Sequence, residues 1–316
     1  MIDTDQRNRL EGLTEYLQQV PYSVTRRALY NYRELYAGFR MNDPGSQRET
    51  YDGQVYDHYL RTGKTTSDIR ESLARTLHDH GMQTALRQFF DNHEARRCVG
   101  IMGGHALLRS SDQFRQIVLL SKRLTEEGAI MLSGGGPGAM EATHLGAWMA
   151  GRREDEVDDA LLTLSTAPSF RNNGWLSSAL HVIERYPQQR YVSVGIPTWL
   201  YGHEPATPFA TYIAKFFENS IREDFILTLP YGGIVYTPGS AGTMQEIFQD
   251  AVQNHYVSMG LSSPMVFMGR EFWTKQMPVY PMLEKLLETG MYKNLQLTLT
   301  DDIDEISEVL LRFREE

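Results

Sequence analysis

Gly233-Ile234-Val235-Tyr236-Thr237-Pro238-Gly239-Ser240-Ala241-Gly242-Thr243-Met244-Gln245-Glu246 reads as a strand, a turn and the start of a helix. Ile234 to Tyr236 are β-branched or aromatic, the composition of a buried strand. Met244, Ile247, Phe248, Ala251 and Val252 then recur at helical spacing, which predicts a helix from near Thr243. The Pro-Gly-Ser-Ala-Gly-Thr turn between them carries almost no side chain. Its backbone N–H groups are therefore free to approach a ligand at a helix N-terminus, where the macrodipole favours an anion. The expectation is a phosphate cradle formed by Gly239, Ser240, Ala241, Gly242 and Thr243, with the Glu246 carboxylate one turn further in.

The same unit recurs upstream. Arg96-Arg97-Cys98-Val99-Gly100-Ile101-Met102 is a short apolar strand running into Gly103-Gly104. Phe114, Ile117, Val118, Ser121 and Leu124 follow as one helical stripe, with Ser110 and Gln113 spaced as a capping box and Gly128 placed to end the helix. Ala129-Ile130-Met131-Leu132 is the next strand. It leads into Ser133-Gly134-Gly135-Gly136-Pro137-Gly138-Ala139-Met140-Glu141, again a glycine turn before a helix. Strands alternating with helices at this spacing predict an α/β fold, a doubly wound parallel sheet covered on both faces. Glycine turns after three strands converge at the carboxyl edge of such a sheet, where ligands bind. The dinucleotide fingerprint is not met and no Walker lysine follows any turn, which argues against an NTP-hydrolysing P-loop.

The remaining pattern is less regular. Residues 151–192 carry a charged run and a polar loop and read as an insertion, a candidate lid. Tyr191 to Pro197 resumes as strand and turn. Phe209, Ile213, Phe216 and Phe217 follow a Pro-rich loop at helical spacing. A strand at Pro264 to Met268, a helix from Pro281 to Thr289, a strand at Leu295 to Leu299 and a terminal helix complete the domain, residues 96–316. Asp301, Asp302 and Asp304 read as cap and dipole partners of that last helix, not as a metal site. Residues 1–95 are rich in Arg, Tyr, Gln and Asp and form a helical N-terminal region. Its helices run through Leu10, Leu13, Tyr16 and Leu17, through Ile69, Leu73 and Leu77, and through Met82, Leu86 and Phe89/Phe90, with a turn at Asn42–Ser46. His78 and His80 read as surface histidines.

Composition narrows the function classes. The 316 residues are 41% hydrophobic, enough for a sizeable core, and carry a formal charge of −9. That acidity argues against nucleic-acid binding, which needs a basic surface. One cysteine, Cys98, excludes an intrachain disulfide and a cysteine-rich metal site and suits a reducing, cytoplasmic compartment. No leader and no membrane-spanning run is visible.

Two residues carry open alternatives. Thr243-Met244-Gln245-Glu246 is spaced as a capping box, in which Glu246 only returns a hydrogen bond to the Thr243 N–H. Spacing alone favours that reading over a carboxylate facing the cleft and stabilising charge at an anomeric carbon. Arg222 lies four residues after Glu218, and spacing alone favours an i,i+4 surface pair over a guanidinium serving the ligand.

Pro238 to Glu246 resembles the P-G-G-x-G-T-x-x-E signature of the LOG (Lonely Guy), or lysine-decarboxylase-like, family. Gly134-Gly135-Gly136-Pro137-Gly138-Ala139-Met140-Glu141-Ala142 resembles that family's earlier glycine turn, in a wording similar to the pyrimidine/purine nucleotide 5′-monophosphate nucleosidase branch. The resemblance covers roughly residues 97–270. It implies a Rossmann-like phosphoribohydrolase that releases the base from a nucleoside 5′-monophosphate without metal or redox cofactor. Arg222 and Glu246 match the family's catalytic residues. On this reading Gly103, Gly104, Gly134, Gly135, Gly136, Gly138, Glu141 and Gly239 to Thr243 are the expected substrate- and phosphate-binding residues. A homodimer or larger homo-oligomer is also implied. The chain departs from the signature at Ser240, in place of the second glycine, and in a slightly longer spacing from Arg222 to Pro238. The alternative is a non-catalytic protein of the same fold that binds or senses a nucleotide or other phosphorylated ligand.

Overall fold

The computed structural model describes residues 12–315, so Leu10 of the first expected helix lies outside them. Seven parallel strands form one sheet: β1 (Cys98–Met102), β2 (Ile130–Ser133), β3 (Ser193–Gly195), β4 (Tyr212–Ile213), β5 (Ile234–Tyr236), β6 (Pro264–Phe267) and β7 (Gln296–Leu299). Their order is β4-β3-β2-β1-β5-β6-β7. The winding reverses between β1 and β5, which pair directly through Gly100–Ile234, Ile101–Val235 and Met102–Tyr236. This is the Rossmann-like doubly wound architecture, with its crevice at the β1/β5 switch point.

Period-two alternation sends the strand residues into two cores. Val99, Ile101, Met131, Val235 and Val266 face one, under α5 (Asp112–Glu126), α6 (Ala139–Trp148) and α12 (Ile303–Glu315). Cys98, Met102, Ile130, Leu132, Ile234, Tyr236, Met265 and Phe267 face the other. That second face is covered by α9 (Asn219–Thr228), α10 (Ala241–Tyr256), α11 (Val279–Glu288) and the N-terminal helices. Among the described residues no helix is long and apolar enough to cross a membrane.

The N-terminal region is helical: α1 (Leu13–Gln19), α2 (Tyr32–Leu35), α3 (Tyr51–Thr62) and α4 (Ile69–Asp91). The two helices expected at Ile69–Leu77 and Met82–Phe90 are one. The Gly81 between them continues the helix and lets the Arg26 carbonyl pack where a Cβ would stand. The expected turn at Asn42–Ser46 opens a 3-10 helix, Pro44–Glu49, capped by Asp43. His78 is not a surface residue. It is fully buried, with its ring nitrogens 2.9 Å from the Tyr30 hydroxyl and 2.9 Å from Asp79. His80 is exposed, as expected.

Four more expectations need correction. Residues 209–217 form no helix. Tyr212 and Ile213 pair with β3, Ile213 also bridges Tyr30 on its other side, and the flanking Phe209, Phe216 and Phe217 are buried. An apolar run clasped between two partners satisfies its backbone in extended form, whatever its spacing. Ser111 rather than Ser110 caps α5, accepting from the Phe114 N–H at 3.3 Å. Residues 151–192 fold into α7 (Glu154–Ser165) and α8 (Trp175–Arg185), which bury Val157, Ala160, Leu164, Ala179 and Val182. They are part of a packed layer, not a lid. Asp302 caps α12 as expected, whereas Asp301 accepts from the Gly269 and Arg270 N–H groups across the sheet edge.

Candidate active site at the sheet switch point

The turns after β1, β2 and β5 meet at the carboxyl edge and are tied by backbone hydrogen bonds. Gly104 N–H donates to the Pro238 carbonyl at 3.1 Å, and Ala139 N–H donates to the Gly104 carbonyl at 3.1 Å. Gly239 has to be glycine here, because a Cβ on it would stand 2.1 Å from Thr243 Oγ1. The close approach lets the chain turn straight into α10. Ser240 occupies the N-cap, but its side chain caps no N–H. Ala241, Gly242 and Thr243 therefore present first-turn N–H groups with no helical acceptor to the space beside them. Ser240 adopts φ −116°, outside the left-handed region that calls for glycine, so this position does not need glycine for its φ.

That space is a cavity of about 330 Å³. Gly103, Gly104, Ser240 to Thr243, Arg222 and Glu246 line it, as do His105, Tyr201, Glu204 and Glu223. The capping box expected at Thr243 to Glu246 does not form, because the helix begins two residues earlier, at Ala241. Glu246 then projects into the cavity, 8% exposed and with no hydrogen-bond partner among the described residues. Burial pushes its carboxyl up to about 8, against the pull of Arg222 and with the push of Glu223. A buried carboxyl titrating near neutrality in a cleft has the physical profile of an acid–base group.

Arg222 is likewise no surface partner of Glu218, which instead caps α9 by accepting from Ser220 N–H. The guanidinium is buried and held at three points: Nε donates to the Ile196 carbonyl at 2.8 Å, Nη2 to the Gly134 carbonyl at 3.3 Å, and Nη1 to Glu223 at 2.8 Å. It makes no direct ion pair with Glu246, yet its charge acts on that carboxyl. Arg222 thus joins the β2 turn, the β3 turn and the cavity wall.

The second glycine turn has a supporting place. Gly134 leaves room for the Arg222 guanidinium, and Gly135 and Gly138 bring the β2 turn against the β3 and β1 turns. Gly134, Gly135, Gly136 and Gly138 do not line the cavity, although their neighbour Met140 does. Glu141 is fully buried and turned away. It accepts from Arg109 Nε at 2.9 Å and from the Trp175 indole at 3.3 Å. A carboxylate buried in such a pair is already satisfied and serves packing. Sequence reasoning missed Glu223, although it adjoins Arg222, and it missed His105, Tyr201 and Glu204, which carry no motif signal. Among the described residues no cluster of His, Cys, Asp and Glu side chains gathers with metal-site geometry.

No known family profile matches the chain, and no curated protein matches it. Solved structures of similar shape include the molybdenum cofactor binding protein from Rippkaea orientalis, at 12% identity and TM-score 0.44, covering 68% of this chain and 95% of that one. The molybdenum cofactor carrier protein from Chlamydomonas reinhardtii is similar at 15% identity and TM-score 0.43, covering 69% and 98%. At such identities and scores these likenesses carry no inference about ligand or activity. The fold class rests on the strand order itself.

Proposed function

We propose that the chain hydrolyses the N-glycosidic bond of a nucleoside 5′-monophosphate, as the LOG-like signature implies. The observation that carries this reading is the shared cavity, in which an uncapped helix N-terminus stands beside a buried, near-neutral carboxyl and a buried arginine. The Ala241, Gly242 and Thr243 N–H groups and the Thr243 hydroxyl hold the 5′-phosphate. As a carboxylate, Glu246 stabilises the positive charge that develops at C1′ as the C1′–N bond breaks, and it orients the attacking water. The water oxygen ends on C1′, one of its protons goes to the departing base, and the products are free base and ribose 5-phosphate. Arg222 holds the cavity wall in place and its charge favours the carboxylate form of Glu246. No step calls on a metal or redox cofactor. Action in the cytoplasm as a homo-oligomer, without nucleic-acid or membrane partners, belongs to the same proposal.

The test is incubation of the purified chain with a panel of nucleoside monophosphates and chromatography for free base. Release of base by the parent and its loss in Glu246→Ala support the reading. Equal turnover by that variant, or no cleavage of any monophosphate, sinks it. One observation favours a second reading, a nucleotide-binding protein without turnover: all three guanidinium nitrogens of Arg222 are already engaged by the protein. Tight monophosphate binding with no base released selects that alternative.

A further inference from the structure

The cavity has two chemically opposite ends. At the β5 end stand the donors of the α10 N-terminus. The other end is closed by the segment after β3, through Tyr201 and Glu204. Glu204 Oε2 lies 4.0 Å from where a Cβ on Gly136 would be, so its carboxylate sits over the β2 turn. β2 and β5 are separated by β1 alone, two strand spacings or about 10 Å. That span suits a ligand with an anion at one end and a flat, donor-bearing group at the other, as in a nucleoside monophosphate.

Glu204 is only 16% exposed in its side chain and accepts no hydrogen bond among the described residues. His105 Nδ1 and His203 Nε2 are each 3.7 Å from Oε1, too far for one. Its oxygens open onto the cavity and no donor among the described residues engages them, so the carboxylate is free to accept hydrogen bonds from a ligand seated there. The surroundings are suited to a flat ring: Tyr201 and Met140 line the same cavity, and the His105 ring meets Phe170 edge-on at 6.0 Å.

Resting on the nucleoside-monophosphate reading above, we infer that Glu204 is the specificity-determining residue for the base and selects guanine. A carboxylate accepts two parallel N–H groups at once. Guanine presents such a pair on adjacent atoms, its ring N1–H and its 2-amino group. Hypoxanthine and uracil offer a ring N–H without the neighbouring amine, and adenine and cytosine offer an amine without the neighbouring ring N–H. Guanosine and inosine 5′-monophosphates differ only in the 2-amino group, so comparing them isolates the contact.

The experiment measures Kd and kcat/KM for both nucleotides with the parent, Glu204→Ala and Glu204→Gln. The parent is expected to favour guanosine monophosphate by about tenfold or more, since a site built around a substrate donor rejects the analogue that lacks it. Both variants are expected to lose that preference, with guanosine monophosphate weakened more than inosine monophosphate, because the first loses two hydrogen bonds to the carboxylate and the second only one. No preference in the parent, or a preference that survives both substitutions, overturns the inference. Cleavage without preference removes the specificity inference alone. Preferential binding without cleavage supports it and removes the hydrolase reading. If neither nucleotide binds, both fall.

Discussion

At Glu246, burial raises the carboxyl to about 8, with Arg222 opposing the rise and Glu223 adding to it. If the carboxylate is the working form, kcat/KM rises with pH and levels off above about 8, which a pH–rate profile reads directly. The stability consequence has the opposite sign. A carboxyl raised in the folded state favours folding fully below its ordinary value of 4.5, and that contribution is lost as pH rises through about 8. Glu246→Gln removes the ionisation, so its melting temperature should exceed the parent's at pH 8.5 and match it near pH 4, while base release falls about 10²–10⁴-fold. A Cβ on Gly134 would stand 2.1 Å from Arg222 Nη2 and 2.8 Å from Met140 Sδ. Gly134→Ala should therefore displace the guanidinium and lower kcat by up to about 10²-fold, with circular dichroism unchanged. Ser240→Gly, at an exposed position with ordinary φ, should leave the melting temperature where it is.

Helix α9 carries Arg222 and Glu223, and the chain entering it is held by the N-terminal region. Asp79, on α4, accepts from the Phe217 N–H at 3.0 Å and the Glu218 N–H at 2.8 Å while its neighbour His78 donates to it. Asp79→Ala leaves those buried N–H groups without an acceptor. It should cost about 1–3 kcal/mol of stability, read from the denaturant midpoint. Because the lost contacts fix the start of α9, kcat should fall more than KM rises. The helices also show where local pattern misleads. Thr243 to Glu246 has the spacing of a cap, yet the N-cap belongs to Ser240, and the three-residue shift turns Glu246 from a cap into a cavity residue. Gly81 interrupts an apolar pattern without interrupting α4, because its missing side chain is filled by the Arg26 backbone.

Across the whole molecule the N-terminal helices share one core with the sheet. Tyr22, Tyr30, Leu35, Val55, Tyr59, Met82 and Leu86 belong to the same buried cluster as Ile213, Phe216, Phe225 and Tyr236. Each such large apolar side chain contributes about 1.5–3 kcal/mol by its burial. Polar ties reinforce the join: Lys215, fully buried, pairs with Asp52 at 2.6 Å, and the Trp199 indole donates to Asp52 at 3.0 Å. Thermal unfolding should thus show one transition by calorimetry and by tryptophan fluorescence alike. A 96–316 fragment should bind a hydrophobic dye and aggregate, and a soluble, cooperatively folding fragment would contradict this. The sheet and the turn after β5 were legible in the sequence because strand alternation, helical spacing and glycine turns are local properties that nearby residues satisfy among themselves. The true place of His78, the extended course of 209–217 and the open carboxylate of Glu204 were not legible. Their conformation and burial are set by partners far away in the chain, such as Tyr30 against Ile213 and the β2 turn beneath Glu204. Sequence alone thus determined the doubly wound sheet and the glycine turn that leads from β5 into a helix, whereas only tertiary packing decided that Arg222 and Glu246 are buried against one cavity, because no local pattern records which distant surfaces exclude water from a charge.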